Sequence, residues 1–147
     1  MSPEPDLAEF VTDGRLRPQT PDRGALSATV IAARADLAAA GTIAVASPSW
    51  AEAMLYEAGL RTARVIVQAA GFRIAADRGH TTAIDAADLL THGAHHRRFV
   101  RLHRMRRQRH EFMYETGRPP SESDLATDKA DVESLLAVAE QAIEAVP

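Results

Sequence analysis

The chain has 147 residues, a net charge of −3 and no cysteine. That length predicts one domain with a short arm, large enough to bury a core without covalent staples. The missing cysteine excludes disulfides, thiolate zinc sites and a cysteine nucleophile, and the near-neutral charge excludes a generally basic nucleic-acid coat protein while leaving room for a local basic patch.

Aromatic residues make up 5% of the chain and hydrophobic residues 46%. Alanine is the commonest residue, which favours helices with close backbone contact. Lys129 is the sole lysine against many arginines, and that bias, with the alanine, suggests a high-GC genome. The longest weakly polar run, Val65 to Ala70, is too short to span a bilayer. The acidic opening, Met1 to Asp6, has no apolar core of a signal peptide. The expectation is a soluble, cytoplasmic protein with no membrane partner.

In chain order, residues 1–21 are expected to form an N-terminal arm and linker, and residues 22–147 a helical bundle. A short helix is predicted from Asp6 to Thr12, stopping near Gly14. Arg15 to Pro21 then forms a linker. Thr20-Pro21 supplies a capping hydroxyl and a proline suited to a first helical turn. Leu26, Val30, Ala33, Leu37 and Ala40 come next at helical spacing, to about Gly41. Ser47-Pro48 repeats the start signal, and a third helix runs to about Ala70, with Gly71 as its stop. Trp50, Tyr56 and Phe72 are expected in the core. Phe72 to His80 is expected to be a loop, with His80 capping the next helix. Thr81 or Thr82 opens that short helix, which runs through Leu90, and Gly93 separates it from a basic helix spanning about Ala94 to Glu115. Ser121 with Asp124 starts the last helix, striped by Leu125, Val132, Leu136, Ala139, Ile143 and Val146. No segment alternates at period two. The predicted fold is all-α, an antiparallel bundle of four or five helices.

The basic helix is the unusual element. Ala94 to His110 holds seven arginines, four histidines and no acid. From Glu111 onward nine carboxylates face only Arg118 and Lys129. One reading is therefore a solvated basic face neutralised by the acidic last helix. On a helical wheel, however, Phe99, Leu102, Met105, Phe112 and Met113 share an arc centred at roughly 280°. Arg109 falls near the middle of that arc, where a bundle wants an apolar residue. A buried arginine is costly unless paired. It must therefore reach a carboxylate, with Glu133 or Glu140 as candidates, or face a crevice or subunit interface. His92, His95 and His96 resemble a metal cluster but straddle Gly93 without a nearby carboxylate, so no metal is assigned.

The order of these parts resembles the HEPN superfamily, in particular small stand-alone members from high-GC bacteria. The resemblance rests on an Ala-rich helix with Ala53, Tyr56, Ala58 and Ala63, then Ala70-Gly71-Phe72-Arg73, then Gly79-His80, then Arg106-Arg-Gln-Arg109-His110 with Tyr114 four residues on. It covers roughly Ala25 to Val146. It implies a helical bundle that dimerises, with two copies of the late motif facing each other across a cleft. Active family members are metal-independent endoribonucleases, and many are toxins paired with a small nucleotidyltransferase antitoxin. Carried onto this chain, the motif arginine is Arg109 and the polar residue after it is His110. The motif histidine is replaced by Tyr114. Histidine exchanges a proton near pH 7, whereas an ordinary tyrosine titrates near pH 10.

Three functions remain open. The first is a non-catalytic module that binds RNA, a nucleotide or a partner protein in a dimer cleft. The second is an endoribonuclease of a toxin–antitoxin pair. There Arg109 and Arg106 would hold the scissile phosphate, His110 would move the proton and Tyr114 would orient it, with no cofactor. Arg101, Arg104 and Arg106 are the expected RNA contacts in either case. The third is a purely structural dimer.

Overall fold

A computed structural model describes residues 7–75, 79–114 and 117–147. Among them are six helices and one small antiparallel strand pair, which makes the fold an all-α helical bundle. The elements run α1 (Leu7–Thr12), β1 (Leu16–Pro18), α2 (Arg23–Ile43), α3 (Pro48–Ala69), β2 (Phe72–Ile74), α4 (Gly79–Leu90), α5 (His96–Tyr114) and α6 (Glu122–Glu144). The expected first residue of α1, Asp6, and last residue of α5, Glu115, lie outside the described residues.

α3 is the central element. It packs against α2, α4, α5, α6 and β2. Its sequence explains the role: alanine, glycine and β-branched residues occur on nearly every face, and burial follows on nearly every face. Gly59 is the closest approach. A methyl group there would stand 2.5 Å from Leu102 Cδ1 of α5. Glycine thus lets the basic helix lie directly on the core helix. The predicted stripe of α6 is buried throughout, from Leu125 to Ile143, with Val146 just beyond the helix end.

The capping chemistry is partly as expected. Ser121 accepts from the Asp124 amide at 3.0 Å, and Pro48 occupies the first turn of α3. Gly71 (φ +99°) ends α3 and Gly93 (φ +74°) separates α4 from α5. Two starts differ. Asp22, not Thr20, caps α2 by accepting from the Ala25 amide at 3.1 Å. α4 begins at Gly79, ahead of Thr81 and Thr82, and Thr82 is buried.

The linker and the loop also differ from expectation, because they pair with each other. Leu16 stands opposite Ile74, Arg17 opposite Arg73 and Pro18 opposite Phe72. Hydrogen bonds from Gln19 N to Gly71 O (2.8 Å) and from Ala75 N to Arg15 O (2.9 Å) extend the pairing. Strands of three residues carry too little alternation to announce themselves. Leu16 and Phe10 are buried, so the arm contributes to the core.

By length and composition α2 is long and apolar enough to cross a membrane. Its Leu26, Val30, Ala33, Leu37 and Ala40 face the core instead. Two of its three charges are met by other helices: Arg34 pairs with Glu140 of α6, and Asp36 with Arg61 of α3 at 3.1 Å.

Candidate functional site: the two halves of α5

The N-terminal half of α5 is turned toward α6. Arg101 donates to Asp128 Oδ1 at 2.7 Å and lies 3.0 Å from Asp131 through Nε. Arg104 reaches the same Asp128 oxygen at 3.5 Å, and Arg98 approaches Asp131 at 3.7 Å. Asp128 is fully buried. The acidic last helix thus neutralises this half. Arg101 and Arg104, expected as RNA contacts, join an ion-pair network here, because α6 sets two aspartates one turn apart against them.

Glu52 of α3 lies beside that network. It is buried, and neither carboxylate oxygen has a hydrogen-bond partner among the described residues. Burial, and after it the nearby Asp128 charge, push its pKa up to about 7. Burial also raises Asp128, against the lowering effect of the Arg101 hydrogen bond.

The C-terminal half of α5 diverges from this pattern. Phe99, Leu102 and Met105 are buried, but Phe112 is only half-buried and Met113 is exposed. The apolar arc therefore runs out of the bundle into solvent. Trp50, expected in the core, is 48% exposed and meets Phe112 edge-on at 4.9 Å between ring centroids. The first turn of α3 lies at the rim, where among the described residues no further element covers the indole. His110 and Tyr114 are exposed on this tip, their rings 4.9 Å apart.

Arg109 sits at the boundary, with a third of its side chain exposed. Its carboxylate partner is Glu57 of α3 at 3.4 Å, not Glu133 or Glu140. Glu140 serves Arg34, and Glu133 is exposed. The Arg109 guanidinium also lies over the Tyr56 ring, 5.9 Å from its centroid.

Tyr56 is fully buried, as expected, and connects Arg109 to a residue with a larger role than a cap. Its hydroxyl is 2.6 Å from His80 Nδ1 at the start of α4. Burial and the nearby Glu57 push the tyrosine up to about 12, so its hydroxyl keeps its proton, and among the described residues that buried proton meets no acceptor other than His80 Nδ1. The imidazole then accepts at Nδ1 and carries its own proton on Nε2. Burial, then the charge of Arg64, lowers the His80 pKa, with Arg109 and Arg106 adding to the effect against Glu57. His80 is held in a basic surround that disfavours its charged form.

Three other histidines are engaged locally. His96 pairs with Asp88 at 2.6 Å, His103 with Asp85 at 2.7 Å, and His95 with Arg98 at 3.1 Å. Among the described residues no three metal-ligating side chains gather. The site thus brings Arg109, His110 and Tyr114 together at one tip, with Arg106 one turn earlier, and separates them from Arg101 and Arg104. Glu52, Glu57, His80 and Asp128 were not legible beforehand as partners, because each lies on a different helix from the group it meets. Compared with protein-family models, curated proteins and solved structures, the chain matches none of them.

Proposed function

We propose that this chain is a HEPN-like module that binds single-stranded RNA in the cleft of a cytoplasmic homodimer, without the full catalytic machinery of that superfamily. One observation carries the reading. The last turns of α5 set Arg109, His110 and Tyr114 on an exposed tip beside the Trp50–Phe112 pair. Guanidinium groups hold phosphates, and exposed aromatic faces stack on unpaired bases. The same apolar tip gives a second copy of the chain something to cover. Tyr114, at the position of the family's histidine, can donate a hydrogen bond but is poorly matched to accept a proton.

The supporting contacts differ from those expected of the sequence. With Arg101 and Arg104 occupied by Asp128, the RNA contacts on α5 are Arg106, Arg107 and Arg109. A purely structural role for Arg109 is disfavoured, since its partner Glu57 is itself 38% exposed, whereas the Asp128 that holds Arg104 at a similar distance is fully buried.

The test is fluorescence anisotropy with a short single-stranded oligoribonucleotide at low and raised salt. Binding should weaken steeply with salt. Arg109→Ala should weaken it further, and light scattering should show a dimer. Absence of binding at low salt overturns the reading.

A second reading, endoribonuclease of a toxin–antitoxin pair with a small nucleotidyltransferase as antitoxin, has one observation in its favour. His110 stands one residue from Arg109 and against Tyr114, so an imidazole is at the tip. The RNA 2′-hydroxyl would attack the adjacent phosphorus while His110 takes its proton; the P–O5′ bond would break, the departing 5′-oxygen would take a proton from water, and a 2′,3′-cyclic phosphate would remain. RNA cleavage in EDTA that vanishes in Arg109→Ala and His110→Ala would establish it.

A further inference from the structure

A second basic region lies at the opposite end of Tyr56, on residues that the α5 tip does not use. Between α3, β2 and the start of α4 is an open cavity of about 360 Å³, lined by Arg64, Gln68, Arg73, Ile74, Gly79 and His80. We propose that this cavity is a phosphate-binding pocket, with Arg64, Arg73 and His80 as its donors.

Three features converge. First, neither Arg64 nor Arg73 has a carboxylate partner among the described residues, whereas Arg61, one turn before Arg64 on α3, pairs with Asp36. Second, the strand register sets Arg17 directly opposite Arg73 on one exposed face. Like charges directly opposite each other in an antiparallel pair are destabilising. A bound anion would remove that repulsion. Third, His80 is fixed as a donor. Buried Tyr56 donates to Nδ1, so the Nε2–H is free to serve a ligand oxygen. Two guanidinium groups and one imidazole N–H suit the several oxygens of a phosphate better than they suit a single carbonyl.

The source of the phosphate is either an RNA strand or a free phosphate ion, and the chemistry is the same. Where it is RNA, the inference rests on the reading above. Arg73, Arg64, His80, Arg106 and Arg109 would then form one track around Tyr56. That arrangement would engage a terminal phosphate at one end while the α5 tip holds the strand.

The experiment begins with inorganic phosphate, independent of RNA. Wild-type protein is titrated while the His80 imidazole is followed by nuclear magnetic resonance. Phosphate should shift its signals and raise its pKa from the lowered value, because an anion favours the charged ring over the opposing Arg64, Arg106 and Arg109. Arg64→Ala and Arg73→Ala should each weaken phosphate binding at least tenfold while leaving the melting temperature intact. Arg23→Ala, exposed at the start of α2, should not. The second arm compares 5′-phosphorylated with 5′-hydroxyl oligoribonucleotide. A preference for the phosphorylated strand that Arg73→Ala abolishes assigns the pocket to an RNA end. Phosphate binding without that preference assigns it to the free ion and leaves the pocket standing. RNA binding by wild type and both variants alike, with no response of His80 to phosphate, overturns the pocket and leaves the α5 reading intact.

Discussion

The two halves of α5 have almost the same composition and opposite surroundings. From Arg98 to Arg104 the arginines turn to α6 and meet Asp128 and Asp131. From Arg106 to Tyr114 no acid of α6 is met among the described residues; Arg109 pairs with Glu57 of α3, and Phe112 and Tyr114 meet the rings of Trp50 and His110. A run of arginines is therefore two devices. Where a facing helix supplies buried carboxylates, the run is an interhelix clamp. Where it does not, the same residue type stays partly open to solvent, as Arg109 does. The spacing of acids on α6, not the density of arginine on α5, sets the boundary.

The strongest challenge to this division is Asp128→Ala. It would leave Arg104 without its acid and Arg101 with Asp131 alone, beside a fully buried gap. Breaking one partner of a buried pair costs about 3–5 kcal/mol, so urea denaturation should show a loss of that size. A loss below about 1 kcal/mol would mean that the clamp is a solvated face after all.

Glu52→Gln comes next. The wild-type carboxyl has a folded pKa of about 7 against an ordinary value of 4.5. The folded state therefore holds its proton where the unfolded chain has lost it. The stability this gives is full below pH 4.5 and is lost as pH rises through 7. The amide removes that loss. At pH 8 the variant should gain on the order of 2–3 kcal/mol over wild type, and at pH 4 almost nothing. Equal curves at both pH values would show that the carboxyl is paired rather than isolated.

Arg109→Ala and Arg104→Ala form the sharpest pair. Arg109→Ala should weaken RNA binding about tenfold, or about 1.4 kcal/mol, and alter stability by less than about 0.5 kcal/mol. Arg104→Ala should do the reverse, lowering stability with little effect on RNA. If both variants lose RNA affinity equally, the two halves are one surface. The smallest effect is in the salt dependence. Arg106→Ala should reduce the slope of log affinity against log salt by about 1.

Much of the fold was legible because its signals are local. The α6 stripe, the Ser121 cap and the breaks at Gly71 and Gly93 depend on neighbours a few residues away. The clustering of Arg109, His110 and Tyr114 was legible for the same reason, since one helix carries all three. The partners were not. The acid for Arg109 is Glu57, a helix away on α3, and a wheel of α5 alone gives no reason to choose it over α6. Trp50 was misplaced because periodicity identifies a face but not whether a neighbour reaches it. Tyr56 and His80 form a pair only because α4 folds back on α3, and neither residue signals that alone.

The short β1–β2 pairing has a consequence for how the chain acquires its shape. It closes a loop that contains the whole of α2 and α3, whereas the contacts between those two helices are local. Closing such a loop gives no return until both helices are in place. The arm should therefore dock late, as the last turn of a latch. A chain shortened to remove Leu16–Pro18 would still assemble its helices, at nearly the full rate. It would reach a native state in which Arg73 no longer has a neighbouring strand to hold its backbone in line.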